Sequence, residues 1–223
     1  PGSFYEESNY GLLMFDTGAA TSQLPYSNLT RTLEKVQTAD GYGAFGSKVQ
    51  NYVIVDRLCV GDITAKILRV SLDDSEDLIG IDVLKNYAFT LDAQNNEIIL
   101  TKPFVSDIRC KVGPQRGHIY VEVEILGKNC LAVIDTGASC SVLDESFLRN
   151  MNDSISAEKV AIAEDWTGET FETKIMSVDS LQIGNVRFPQ HEFALLDFKQ
   201  IFSFMEYPIS AIIGAAPVPV PPP

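Results

Sequence analysis

The sequence predicts a mostly β protein built from two similar lobes. Three observations carry that expectation. An apolar run ending in Asp-Thr-Gly-Ala occurs twice, as LLMFDTGAATS at 12–22 and LAVIDTGASCS at 131–141. Each copy is followed at a comparable distance by an apolar-apolar-Gly signal, LIG at 78–80 and IIG at 212–214. Between these landmarks both halves alternate apolar and polar residues with the two-residue period of half-buried strands, and helical periodicity is sparse.

Length and composition agree with that division. The 223 residues allow two lobes of about 100–120 residues each. The expected boundaries are 1–105 and 106–216, with 217–223 as a proline-rich tail prone to polyproline II. A net charge of −13, from 17 Lys+Arg against 30 Asp+Glu, lacks the basic stripe of a nucleic-acid footprint. No apolar run approaches the ~18–20 residues of a membrane helix, so no membrane span is expected. Cys59, Cys110, Cys130 and Cys140 show no metal-site spacing and read as buried free thiols. No metal or other cofactor is expected.

Taken in order, 49–72 and 172–197 each read as two strands joined by a Leu-x-Val/Ile-Gly turn, LCVG and LQIG. Residues 118–135 alternate cleanly and bend at Gly127-Lys128-Asn129. Helical signal is confined to 26–36, 80–87 and 144–151.

An Asp at the end of a buried strand and before Thr-Gly is held at the rim of a rigid element. Gly permits the sharp turn, and the Thr hydroxyl can bond across to backbone groups. One such turn is ordinary turn chemistry. Two, at matching places of a repeat, would bring Asp16 and Asp135 face to face if the halves are related by a pseudo-twofold axis. Carboxyls that close share a proton, so one can act as general base on water while the other polarises a carbonyl.

At these residues the sequence resembles the retropepsin-like aspartic peptidases, in a single-chain form with two half-sites like that of bacterial aspartyl proteases. LIGIDVLKNYAFTLD at 78–92 is similar to the closing segment of the family unit. The resemblance implies two homologous β-barrel lobes with the cleft between them, and an aspartic-type endopeptidase acting on extended polypeptides. It implies Asp16 and Asp135 as the catalytic dyad and Thr17 and Thr136 as interlocking hydroxyls. Gly18 and Gly137 then permit close approach, with Ala19 and Ala138 as the small residues beside the aspartates. It also implies hairpin flaps over the cleft, at 39–47 with Tyr42 and Gly43, and at 164–170 with Trp166, Thr167 and Gly168.

With both half-sites in one chain, a monomer is expected. His118 and His191 have no catalytic partner pattern and read as surface or satisfied strand histidines. The first lobe is expected to lack its opening strand, and the second to lack the closing segment. The alternative function is an inactive peptidase fold that binds or inhibits peptides, and a third reading is an assembly scaffold. The Pro-Gly-Ser start leaves room for a removed signal peptide, which favours an extracytoplasmic location over a cytoplasmic one.

Overall fold

The computed structural model describes residues 13–28, 30–43, 46–61, 63–75, 77–92, 95, 97–101, 110–149, 159–199 and 205–215. The expected lobe boundary, the proline-rich tail, and residues 1–12 of the first lobe's opening lie outside these residues.

In the first half the strands are β1 (Met14–Phe15), β2 (Gln23–Leu24), β3 (Lys35–Tyr42), β4 (Ser47–Val60), β5 (Ile63–Leu72) and β6 (Leu78–Ile79). A short helix α1 (Ile81–Leu84) follows, then β7 (Ala88–Asp92) and β8 (Glu97–Thr101). The second half begins with β9 (Cys110–Val112), β10 (Ile119–Ile125), β11 (Lys128–Asp135) and β12 (Ser141–Asp144). Helix α2 (Glu145–Arg149) leads to β13 (Lys159–Glu164), β14 (Thr170–Val178), β15 (Leu181–Ile183), β16 (Val186–Phe188), β17 (His191–Leu196) and β18 (Ala211–Gly214). The mostly β expectation holds, and α1 is shorter than the 80–87 stretch the sequence suggested. Only a 3-10 turn at Thr30–Thr32 forms within 26–36, because β3 already starts at Lys35.

Two separate sheets carry the halves. The first runs β1-β6-β2-β5-β4-β3, and the second contains the path β13-β14-β17-β12-β18-β11. Read from the Asp-bearing strand outwards, the two orders correspond strand for strand. The senses correspond too: β1–β6 and β11–β18 are parallel, β2–β6 and β12–β18 antiparallel, β2–β5 and β12–β17 parallel. The second sheet continues past β11 through β10, which also pairs with β9 and β15. Neither path closes into the expected barrel among the described residues. The end strands β3 and β13 are largely exposed on both faces, and among the described residues no further strand pairs with them. β7 and β8 form a sheet of their own.

Each sheet buries its own core. Val53, Val55, Val70, Ile79, Ile81 and Leu84 fill the first. Val121, Val123, Leu143, Met176, Val178 and Phe193 fill the second, with a satellite around Tyr120, Val133 and Phe198. In β10 the apolar residues Val121, Val123 and Ile125 are buried and Glu122 faces solvent, as a two-residue period demands. β10 turns into β11 through Leu126 and Gly127 at φ 52° and 74°, with Ile125 opposite Lys128. That is a two-residue hairpin with positive φ at both positions, one residue earlier than the expected bend. The LCVG turn joins two strands as read, with Gly61 at φ 54°. LQIG also turns, with Gly184 at φ 56°, but it joins the short β15 and β16, so 172–197 holds parts of four strands (β14 to β17) rather than two.

The four cysteines are free, but Cys59 and Cys110 are exposed, and only Cys130 and Cys140 are partly buried. Cys59 falls on the outward side of β4 and Cys110 on β9, a peripheral strand, so neither reaches a core. No described helix is long and apolar enough to cross a membrane.

Candidate active site

Asp135 is the last residue of β11, parallel-paired with Gly214 of the central β18. Asp16 follows β1, and its N–H donates to the Ile79 carbonyl at 3.0 Å. The apolar-apolar-Gly signals are therefore the parallel neighbours that hold the two Asp-bearing strands. Each carboxylate is wrapped by its own turn. Asp16 Oδ1 accepts from the N–H groups of Gly18 at 2.8 Å and Ala19 at 3.0 Å. Asp135 Oδ1 accepts from Gly137 at 3.0 Å and Ala138 at 3.1 Å.

The threonines join the two turns. Thr17 Oγ1 donates to the Ile134 carbonyl at 2.8 Å and accepts from the Thr136 N–H at 3.1 Å. Thr136 Oγ1 donates to the Phe15 carbonyl at 2.5 Å and accepts from the Thr17 N–H at 3.1 Å. Thr17 is fully buried. These four bonds span nearly 120 residues of sequence and fix one Asp turn against the other.

The glycines show how close the turns come. A methyl group at Gly18 would collide with the Asp135 carboxyl, and one at Gly137 would lie 2.5 Å from Asp16 Cγ. Each glycine thus faces the opposite carboxyl, and any side chain would push the pair apart. Burial raises the Asp135 pKa, and the charge of Asp16 and the hydrogen bond that protonated Asp135 donates to the Asp16 carboxylate add to that, to about 7 from an ordinary 3.8. The backbone donors of Gly137 and Ala138 oppose the rise without cancelling it.

The structure adds a supporting layer. Ser22 and Ser141 occupy the same place in the two turns. Ser22 Oγ accepts from the Gly80 N–H at 3.0 Å, and Ser141 Oγ from the Gly214 N–H at 3.1 Å. The carbonyls of Ala19 and Ala138 accept from Ile81 and Ala215, both at 2.9 Å. Asp82 then receives the Ser22 hydroxyl at 2.8 Å, whereas His191 Nε2 lies 2.8 Å from Ser141 Oγ. Burial raises the Asp82 pKa and lowers that of His191. The serines were present in both quoted motifs; their role was missed because their partners are far along the chain.

The expected flaps are hairpins. β3–β4 closes with Tyr42 opposite Ser47 and the Gly43 N–H on the Gly46 carbonyl at 2.9 Å; Ala44 and Phe45 lie outside the described residues. β13–β14 turns over 165–169, with Gly168 at φ 84°, a conformation that favours glycine. The hairpins meet each other. The Gly46 N–H donates to Asp165 Oδ2 at 3.2 Å, and Asp165 Oδ1 accepts from the Thr167 N–H at 2.9 Å and from its hydroxyl. The Trp166 ring lies across Gly41 and Gly43 of the other hairpin. Trp166 therefore packs on the opposite lobe, while Tyr42 stays 53% exposed. Asp165 joins the tips although the sequence singled out Trp166, Thr167 and Gly168 in this hairpin. A cavity of about 510 Å³ between α1 and the 113–117 loop borders the Asp16 turn through Ala20 and Thr21, and neither Asp16 nor Asp135 lines it.

Residues 121–216 match the family model for aspartyl protease. That match lies in the second half of the chain and is a likeness to the aspartyl protease family over those residues. The aspartyl protease likeness read from the sequence is supported over that stretch. The matched stretch includes the Asp135 turn, the 164–170 hairpin and the β18 glycine. Among solved structures, a match is the crystal structure of a retropepsin-like aspartic protease from Rickettsia conorii. It is 12% identical and covers 50% of this chain and 81% of that chain, with a TM-score of 0.32. A search of curated proteins returned no match.

Proposed function

We propose that the protein is an aspartic endopeptidase that hydrolyses peptide bonds of extended polypeptides with a water activated between Asp16 and Asp135. One observation carries this reading: the two carboxyls face each other across interlocked turns, with the pKa of Asp135 driven up by burial and by Asp16. At mildly acidic pH, Asp135 holds the proton the pair shares and Asp16 acts as general base. Asp16 takes a proton from water as the water oxygen bonds to the scissile carbonyl carbon, and the Asp135 proton polarises the carbonyl oxygen. Collapse of the tetrahedral intermediate breaks the C–N bond as a proton passes to the leaving nitrogen. No covalent intermediate, metal or cofactor is required.

In this reading Thr17 and Thr136 hold the two half-sites in register, Gly18 and Gly137 allow the carboxyls to approach, and Ala19 and Ala138 keep the flanks small. The hairpins carrying Tyr42, Gly43, Trp166, Thr167 and Gly168 close over the substrate and exclude water. The shared strand order supports an internal duplication, with lobes at 1–105 and 106–216 and a tail at 217–223. With both halves of the dyad in one chain, a monomer suffices. The test is cleavage of denatured casein from acidic to neutral pH, with cut sites located by mass spectrometry, comparing wild type with Asp135→Asn. Cleavage by wild type alone, falling as the pH passes about 7, is expected from the proton on Asp135. A folded wild type that cuts at no pH overturns the reading and leaves a peptide-binding scaffold.

A further inference from the structure

His118 takes no part in the chemistry above, yet it reaches the first lobe's Asp turn from the second lobe. It immediately precedes β10 and is 4% exposed. Its Nε2 lies 3.1 Å from the Gly18 carbonyl oxygen. That oxygen only accepts, so Nε2 carries the proton and donates. The other ring nitrogen, Nδ1, is buried with no hydrogen-bond partner. The ring stands edge-on to Tyr120 at 6.4 Å between centroids, and Tyr120 stands edge-on to Tyr207 at 5.0 Å. The Tyr120 hydroxyl accepts from the Glu206 N–H at 3.1 Å. The imidazole is thus braced by its own lobe.

The peptide unit it grips is the one that serves Asp16. The Gly18 carbonyl and the Ala19 N–H belong to the same planar group. The Ala19 N–H donates to Asp16 Oδ1 at 3.0 Å. One rigid plane is therefore held at its oxygen by His118 and at its hydrogen by Asp16. A donor on the carbonyl also polarises the N–H on the other side of the plane. We propose that His118 is a positioning residue for the Asp16 carboxylate, acting across the lobe boundary through the Gly18–Ala19 peptide plane.

The inference rests on the reading of Asp16 and Asp135 as the reacting pair. The charged groups around the ring are Arg116 on the same loop, Glu206 beneath it and Asp16 beyond Gly18. Burial outweighs the rest and lowers the His118 pKa, which favours the neutral ring with one N–H and therefore one direction of donation. A strut that neither moves nor carries charge suits the orientation of a carboxylate beside a raised partner.

The experiment compares His118→Gln, whose amide reaches the place of Nε2 and does not titrate, with His118→Phe and His118→Leu, which fill space without donating. Peptide cleavage is measured across pH, with thermal melts on every variant. The Phe and Leu variants should lose about 10- to 100-fold in kcat with KM within about twofold, as a misplaced reacting group does. Their activity should also fail at lower pH on the alkaline side, because a relaxed Asp16 turn raises Asp135 less. His118→Gln should restore most of kcat and the position of that limb. A folded apolar variant with wild-type kcat and limb overturns the proposal, as does Gln failing as badly as the apolar variants, which would mark a packing role. If neither apolar variant folds, a Gln variant with a displaced limb or reduced kcat overturns it, and an unchanged one sustains it. A wild type that cuts nothing condemns the dyad reading instead.

Discussion

Replacing Asp135 by Asn should stabilise the folded protein relative to wild type as pH rises. In the fold, burial and then the Asp16 charge lift Asp135 from 3.8 to about 7. A raised carboxyl keeps its full contribution below about pH 4, loses it as pH climbs through about 7 and levels off beyond. Over that window the folded state holds a proton that the unfolded chain has released. A rise of about three units corresponds to about 4 kcal/mol at about 1.4 kcal/mol per unit. Solvent screening in a partly open cleft brings the expected value to about 2–4 kcal/mol. The amide introduced by Asp135→Asn still offers an oxygen to the Gly137 and Ala138 N–H groups and never ionises, so the variant is a fair reference. Urea unfolding of both proteins at half-unit steps between about pH 4 and 8 reads the difference directly. The gap should widen by about 2–4 kcal/mol, which is on the order of 10 °C in Tm for a chain of this size. Two stability curves that run parallel throughout would refute the argument that the carboxyls face each other in the folded state.

The interlocked hydroxyls make a second prediction. Thr17→Val strands the Ile134 carbonyl and the Thr136 N–H, each a buried loss of about 1–3 kcal/mol, so a destabilisation of about 2–5 kcal/mol is expected in denaturant unfolding, with Thr17→Ser much milder. Equal losses for Val and Ser would mean that packing of the methyl, not the hydroxyl bonds, joins the turns. A third concerns the hairpin tips: Asp165→Ala removes the acceptor for Gly46 and Thr167, so KM for a peptide should rise several-fold while kcat changes little. Unchanged steady-state constants would show that the tips close without Asp165.

What the sequence determined by itself is what local pattern can carry. The alternation in 118–135 and the Leu-x-Val/Ile-Gly turns yielded the strands, because side-chain direction has a period of two and positive φ favours Gly. The echo of Asp-Thr-Gly-Ala and the two later glycines named the strands that bear the candidate dyad, since both halves repeat the same landmarks in the same order. The tertiary structure alone decided which groups meet. The four threonine bonds, the Gly18 and Gly137 approaches and the Trp166 contact join residues more than 100 positions apart, and no local pattern records such pairs. His118 shows the limit most plainly. As a sequence feature it is a lone imidazole before a strand; folded, it is braced by Tyr120 and set on the carbonyl behind Asp16. The raised proton affinity of Asp135 has the same origin: it comes from burial and a second carboxyl, and both exist only once the two lobes have closed on each other.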